Sequence, residues 1–139
     1  LFDNPNGEMT LKTCLLITDD PDDHQAFTEA LSEISAKAIV LNVVDSEKAL
    51  DFLKIKKHTP DYIFIDLSMH GIRINSFLKA VKSDIDLSLV PTVVYGQEKD
   101  FIKIENPEKV VFFIKDYEYS HLRDFLKNFI KPSEGKNGI

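Results

Sequence analysis

The chain has 139 residues, 43% hydrophobic and 29% charged, the size and balance of one globular domain with one core. With 17 Lys and Arg against 23 Asp and Glu, the net charge is −6, which argues against nucleic acid as a direct partner because phosphate contacts need clustered basic residues. A lone cysteine, Cys14, rules out an intrachain disulfide and fits a reducing, cytoplasmic setting, and no apolar run approaches the roughly 20 residues of a membrane span.

Residues 1–11 are polar and lack the basic-then-apolar layout of a signal peptide, so a flexible lead-in is expected. The run KTCLLIT (12–18) reads as a first strand, with Cys14 as a small buried hydrophobe. It opens into TDDPDDH (18–24), where four aspartates fall within seven residues. Asp20–Pro21 has the form of a helix N-cap followed by the first helical residue, and Asp22 and Asp23 would then face the positive helix end. Ala26, Phe27, Ala30, Leu31 and Ile34 recur at helical spacing behind them.

A second strand is expected in KAIVLNVV (37–44), followed by a helix with Ser46 as N-cap and Ala49, Leu50 and Leu53 on its buried face. The basic stretch KIKKH (54–58) reads as a solvated helix face rather than a binding patch. DYIFID (61–66) is a continuous apolar run ending in Asp66, and His70 lies in the loop after it. Ile74, Phe77, Leu78 and Val81 form a third helical stripe. PTVVYG (91–96) and KVVFFIK (109–115) are the last two strands, separated by a segment with room for one or two helical turns, ended by Asn106 and Pro107. Leu122, Phe125, Leu126, Phe129 and Ile130 mark the closing helix, and the polar, Gly-containing tail 132–139 is expected to fray.

Strands alternating with helices predict an α/β domain over 12–131, with a parallel sheet, helices on both faces and right-handed crossovers. The apolar runs are continuous rather than alternating, as for strands buried on both faces. In such sheets ligands sit beyond the carboxyl ends of the strands. The residues there are Asp19 and Asp20 after strand 1, Asp66 after strand 3, Gly96 after strand 4 and Lys115 after strand 5.

If strands 1 and 3 are neighbours, three carboxylates and an ammonium converge. Such carboxylates must take up protons or bind a cation. An oxygen-rich site favours Mg²⁺, beside which a carboxylate can act as a nucleophile toward a phosphoryl group.

In these segments the chain resembles the receiver domain of two-component response regulators. CLLITDDPDD is similar to the family's first strand and acidic pair, PDYIFIDLSM to its third strand and phosphoacceptor, and VVFFIKD to its fifth strand. The resemblance implies a flavodoxin-like, doubly wound (βα)5 sandwich of three layers with strand order 2-1-3-4-5. It implies that Asp66 accepts a phosphoryl group from a histidine kinase or phosphotransfer protein. It further implies that Asp19, Asp20, Asp66 and the Ser68 carbonyl hold Mg²⁺, and that Lys115 pairs with the phosphoryl oxygens. Phe112, three residues before Lys115, matches the aromatic switch position. With no output domain after residue 131, a stand-alone receiver is expected, acting on a partner protein, with a homodimer as one arrangement and no turnover enzyme activity.

The chain departs from the family at three places. The strand 4 Thr or Ser is Gly96, which offers only its backbone N–H to a phosphoryl group. The Lys–Pro pair is Lys115–Asp116, for which a trans peptide is expected. The usual Met–Pro after the phosphoacceptor is Met69–His70, and the short segment between strands 4 and 5 leaves the fourth helix stunted. These departures motivate an alternative, a pseudo-receiver that binds partners without phosphate. A third reading, a small haloacid-dehalogenase-type phosphatase, rests on the Asp20–Pro21–Asp22 spacing and leaves Asp66 without a role.

Overall fold

The computed structural model describes residues 12–35, 37–55, 59–116 and 118–130. The expected lead-in and tail, and residues 56–58 of the basic stretch, lie outside these. Five strands, β1 (Thr13–Ile17), β2 (Ile39–Val43), β3 (Tyr62–Asp66), β4 (Thr92–Gly96) and β5 (Val111–Ile114), form one parallel sheet of order β2-β1-β3-β4-β5. Four helices connect and close it: α1 (Pro21–Ile34), α2 (Ser46–Lys54), α3 (Ile74–Ser83) and α4 (Tyr119–Phe129). This is the flavodoxin-like three-layer arrangement.

Side-chain parity along β1 divides the core. Leu15 and Ile17 face one way and pack with Ala49 and Leu53 of α2 and Phe77 and Val81 of α3. Cys14 and Leu16 face the other way, into a layer with Phe27 and Leu31 of α1 and Leu122 and Leu126 of α4. Phe27 anchors that second layer, with its ring 5.2 Å from both Phe64 and Tyr95. Each such fully buried side chain contributes about 1.5–3 kcal/mol over its exposed state.

Local signals set the helix starts. Asp20 caps α1 by accepting a hydrogen bond from the Asp22 N–H at 2.9 Å, with Pro21 as the first helical residue. At α2 the cap is Asp45 rather than the expected Ser46. The Asp45 carboxylate reaches the Lys48 N–H at 2.7 Å, and Ser46 becomes the buried first residue of the helix. Aspartate and serine cap about equally well, so the choice fell to whichever residue kept the extended backbone.

One expectation needs adjusting, and another, the short helical segment between the last two strands, is met. Continuous burial holds for β1, β3 and β4 apart from half-buried Thr13, but the edge strands β2 and β5 are only partly covered. Between β4 and β5 there is no α-helix, only 3₁₀ segments at Glu98–Lys103 and Pro107–Lys109. The face of β5 that a longer helix would cover therefore leaves Ile114 exposed and Phe112 36% exposed, with Phe112 resting on Phe101 at 4.6 Å. Phe113, on the opposite face, packs against Phe125 at 4.7 Å.

Candidate functional site at the carboxyl end of the sheet

Asp66 is the last residue of β3 and is 2% exposed. Both of its oxygens are engaged. Oδ1 accepts from the Ser68 N–H at 2.8 Å and the Ser68 hydroxyl at 2.6 Å, while Oδ2 accepts from the Thr18 hydroxyl at 2.9 Å. Thr18 directly follows β1, which pairs with β3, so the two chain ends emerge side by side. The Thr18 oxygen also accepts from the Asp20 N–H at 3.1 Å, which shapes the turn into α1.

A second centre lies next to the first. Asp23, in the first turn of α1, is 6% exposed. Its Oδ1 is 2.7 Å from the Lys115 ammonium, and its Oδ2 accepts from the Tyr95 hydroxyl at 3.0 Å and lies 3.3 Å from the Thr18 hydroxyl. A hydroxyl donates a single proton, and the shorter Thr18 contact is the one to Asp66. Lys115 also lies 3.5 Å from Asp20 Oδ2, and its backbone N–H donates to the Gly96 carbonyl at 2.9 Å, tying the ends of β4 and β5 together.

The electrostatics follow from this packing. Burial pushes the Asp23 carboxyl above the usual carboxylate range, against the opposing pull of Lys115 and the Tyr95 hydrogen bond. For Lys115, burial works against the charge, but the hydrogen bond and charge of Asp23, joined by Asp66 and Asp20, outweigh it and hold the ammonium above ordinary lysine. Burial, then the Asp23 and Asp66 charges, push the Tyr95 phenol far upward, so it stays a donor.

The residues expected from the sequence are thus only partly gathered. Asp66 and Lys115 both stand at the carboxyl end of the sheet. Asp20 is there too, but as the cap of α1 and a contact of Lys115, while Asp19 is exposed. The buried carboxylate at the strand ends is Asp66, whereas Asp22 is exposed. Ser68 meets Asp66 through its N–H and hydroxyl. Among the described residues, no group of three or more His, Cys, Asp or Glu side chains is placed to hold a metal ion. In this arrangement both Asp66 oxygens are hydrogen-bonded, and a hydroxyl, Thr18, stands at the end of β1 beside them.

Gly96 ends β4 in a tight place. A Cβ there would lie 3.0 Å from Asp100 Oδ2 and 3.2 Å from Leu67 Cβ. Asp100 is 6% exposed and accepts from the Gln97 N–H at 3.0 Å and from Lys103 at 3.4 Å. Its carboxylate crowds the space in which a side chain at position 96 would begin. The Lys115–Asp116 peptide is trans, as expected. His70 is exposed.

The sequence reading missed Thr18, Asp23, Tyr95 and Asp100. A signal existed for two of them. Asp23 precedes Phe27, Ala30 and Leu31 at helical spacing, which places it on the buried stripe. Tyr95 shares the parity of Val93 along β4.

No family model matches the chain, and no curated protein matches it. Solved structures do. The phosphorylated cyanobacterial phytochrome response regulator RcpA is 25% identical with a TM-score of 0.73, over 86% of this chain and 91% of that one. The bacteriophytochrome response regulator RtBRR is 26% identical with a TM-score of 0.66, over 81% and 74%. The Mn²⁺-bound response regulator Rcp1 is 21% identical with a TM-score of 0.69, over 85% and 91%. Strand order and layering define a flavodoxin-like α/β sandwich, and the solved structures it resembles are receiver domains. The chain has the receiver-domain fold of response regulators, and the likeness supports a role in two-component signalling.

Proposed function

We propose that this chain is a receiver module that accepts a phosphoryl group on Asp66 from a histidine kinase or phosphotransfer protein and passes the signal to a partner protein. The observation that carries the reading is the place of Asp66, at the carboxyl end of the central strand and beside the Thr18–Asp23–Lys115 network. An Asp66 oxygen would attack phosphorus as the donor's N–P bond breaks, leaving an acyl phosphate. Before that, Thr18 or the Ser68 hydroxyl must release an oxygen. The Ser68 N–H and Lys115 are the groups able to balance the new charge, with Lys115 shifting from Asp23. Gly96 adds no hydroxyl to this set.

The test is incubation of the protein with acetyl phosphate and Mg²⁺, followed by intact mass. The expected result is a gain of one phosphoryl group, absent in Asp66→Asn. No adduct on the wild-type protein, or an equal adduct on the variant, would overturn the reading.

A second reading, a phosphate-independent interaction module, is favoured by the hydrogen-bonded closure of Asp66 and by the carboxylate of Asp100 beside Gly96. It requires that a partner bind wild type and Asp66→Asn alike, with or without acetyl phosphate.

A further inference from the structure

Between α1 and α4, next to Lys115, lies a cavity of about 200 Å³. Phe27, Tyr95, Phe113 and Tyr119 contribute aromatic walls. Asp22, Asp23, Asp116 and Glu118 also line it, four carboxylates against the single ammonium of Lys115. That ammonium is already matched by Asp23 and Asp20, and Asp116 is engaged by His121. Asp22 and Glu118 are exposed and have no ion pair among the described residues.

The volume falls below the roughly 300–1,000 Å³ of ordinary small-ligand pockets, so the cavity suits one side-chain-sized group. Aromatic walls with excess negative charge favour a cation whose flat face can lie on a ring. Guanidinium meets both demands better than ammonium, because it is planar and more weakly hydrated.

We infer that this cavity receives an arginine side chain from a partner protein, its stem against the aromatic walls and its guanidinium on Asp22 and Glu118. The side chain would lie beside Asp23 and Lys115, and its binding needs no phosphoryl group on Asp66.

The test uses amide NMR titration of the full chain with N-acetyl-arginine methylamide, and with its neutral citrulline and anionic glutamate counterparts. The arginine compound is expected to give saturable shifts at Ala26, Phe113 and Tyr119, at least tenfold weaker in Asp22→Asn/Glu118→Gln and abolished in Ala26→Leu, which fills the space. Asp66→Asn should bind as wild type does, which separates this result from the acetyl phosphate test. Equal binding of citrulline or glutamate compounds, undiminished binding to the double variant, or no saturable shift at these residues would overturn the inference.

Discussion

Asp23 places one carboxylate oxygen against Lys115 and the other against Tyr95, so its side chain serves two partners at once. Asp23→Asn keeps a hydrogen-bonding side chain but takes from a mostly buried ammonium the carboxylate 2.7 Å away. A loss of ~1.5–3 kcal/mol is expected, the range for hydrogen bonds to charged groups, read from the urea midpoint of the variant. Asp23→Ala should cost more, because Tyr95 would then also lose its acceptor. At this scale Asp66 and Lys115 were legible in the sequence because each ends an apolar run. Thr18 was not, because a hydroxyl beside two aspartates carries no charge to mark it, and only its distance from Asp66 across two strands reveals what it does.

The segment between β4 and β5 is where one element differs most from the family pattern. Restoring a side chain by Gly96→Ala should destabilise by ~1–3 kcal/mol, since the new Cβ meets Leu67 and Asp100 at overpacked distances. The Asp100→Ala background should recover part of that loss, and a double-mutant cycle by chemical denaturation would give a coupling of ~0.5 kcal/mol or more. Additive effects would mean that Asp100 is not what excludes a side chain there. Phe112→Ala should cost only ~1 kcal/mol, against ~3–5 for a core position such as Phe64→Ala, because Phe112 is over a third exposed and, among the described rings, leans on Phe101. Phe112, which stands at the family's aromatic switch position, is not a core residue, because a 3₁₀ segment covers less of the sheet than an α-helix does.

For the whole molecule, the charge network predicts a pH profile. Lys115 titrates above ordinary lysine in the fold, so the folded state holds its proton more tightly than the unfolded chain does. Its contribution is therefore full below about pH 10.4 and is lost as pH rises through the elevated value. Asp23 has the same sign at the acid end. Its carboxyl is raised, so its contribution falls as pH climbs from about 3.9 through the elevated value. Thermal or urea unfolding in Lys115→Met should show a shallower alkaline fall than in wild type, and a parallel fall would contradict the network.

The sequence by itself determined the alternation of five strands with helical segments, the helix faces and the strand ends where Asp66 and Lys115 stand. Apolar periodicity, the Asp20–Pro21 cap and run length are local properties that the chain carries wherever it folds. What only the tertiary structure decided is which charge meets which. Pairing of β1 with β3 set Thr18, not an aspartate, against Asp66. One turn of α1 carried Asp23 inward to Lys115, while Asp19 stayed in solvent and Asp20 served the helix end. Contacts across 48 or more residues depend on strand register and helix rotation, and no spacing within a single segment encodes them.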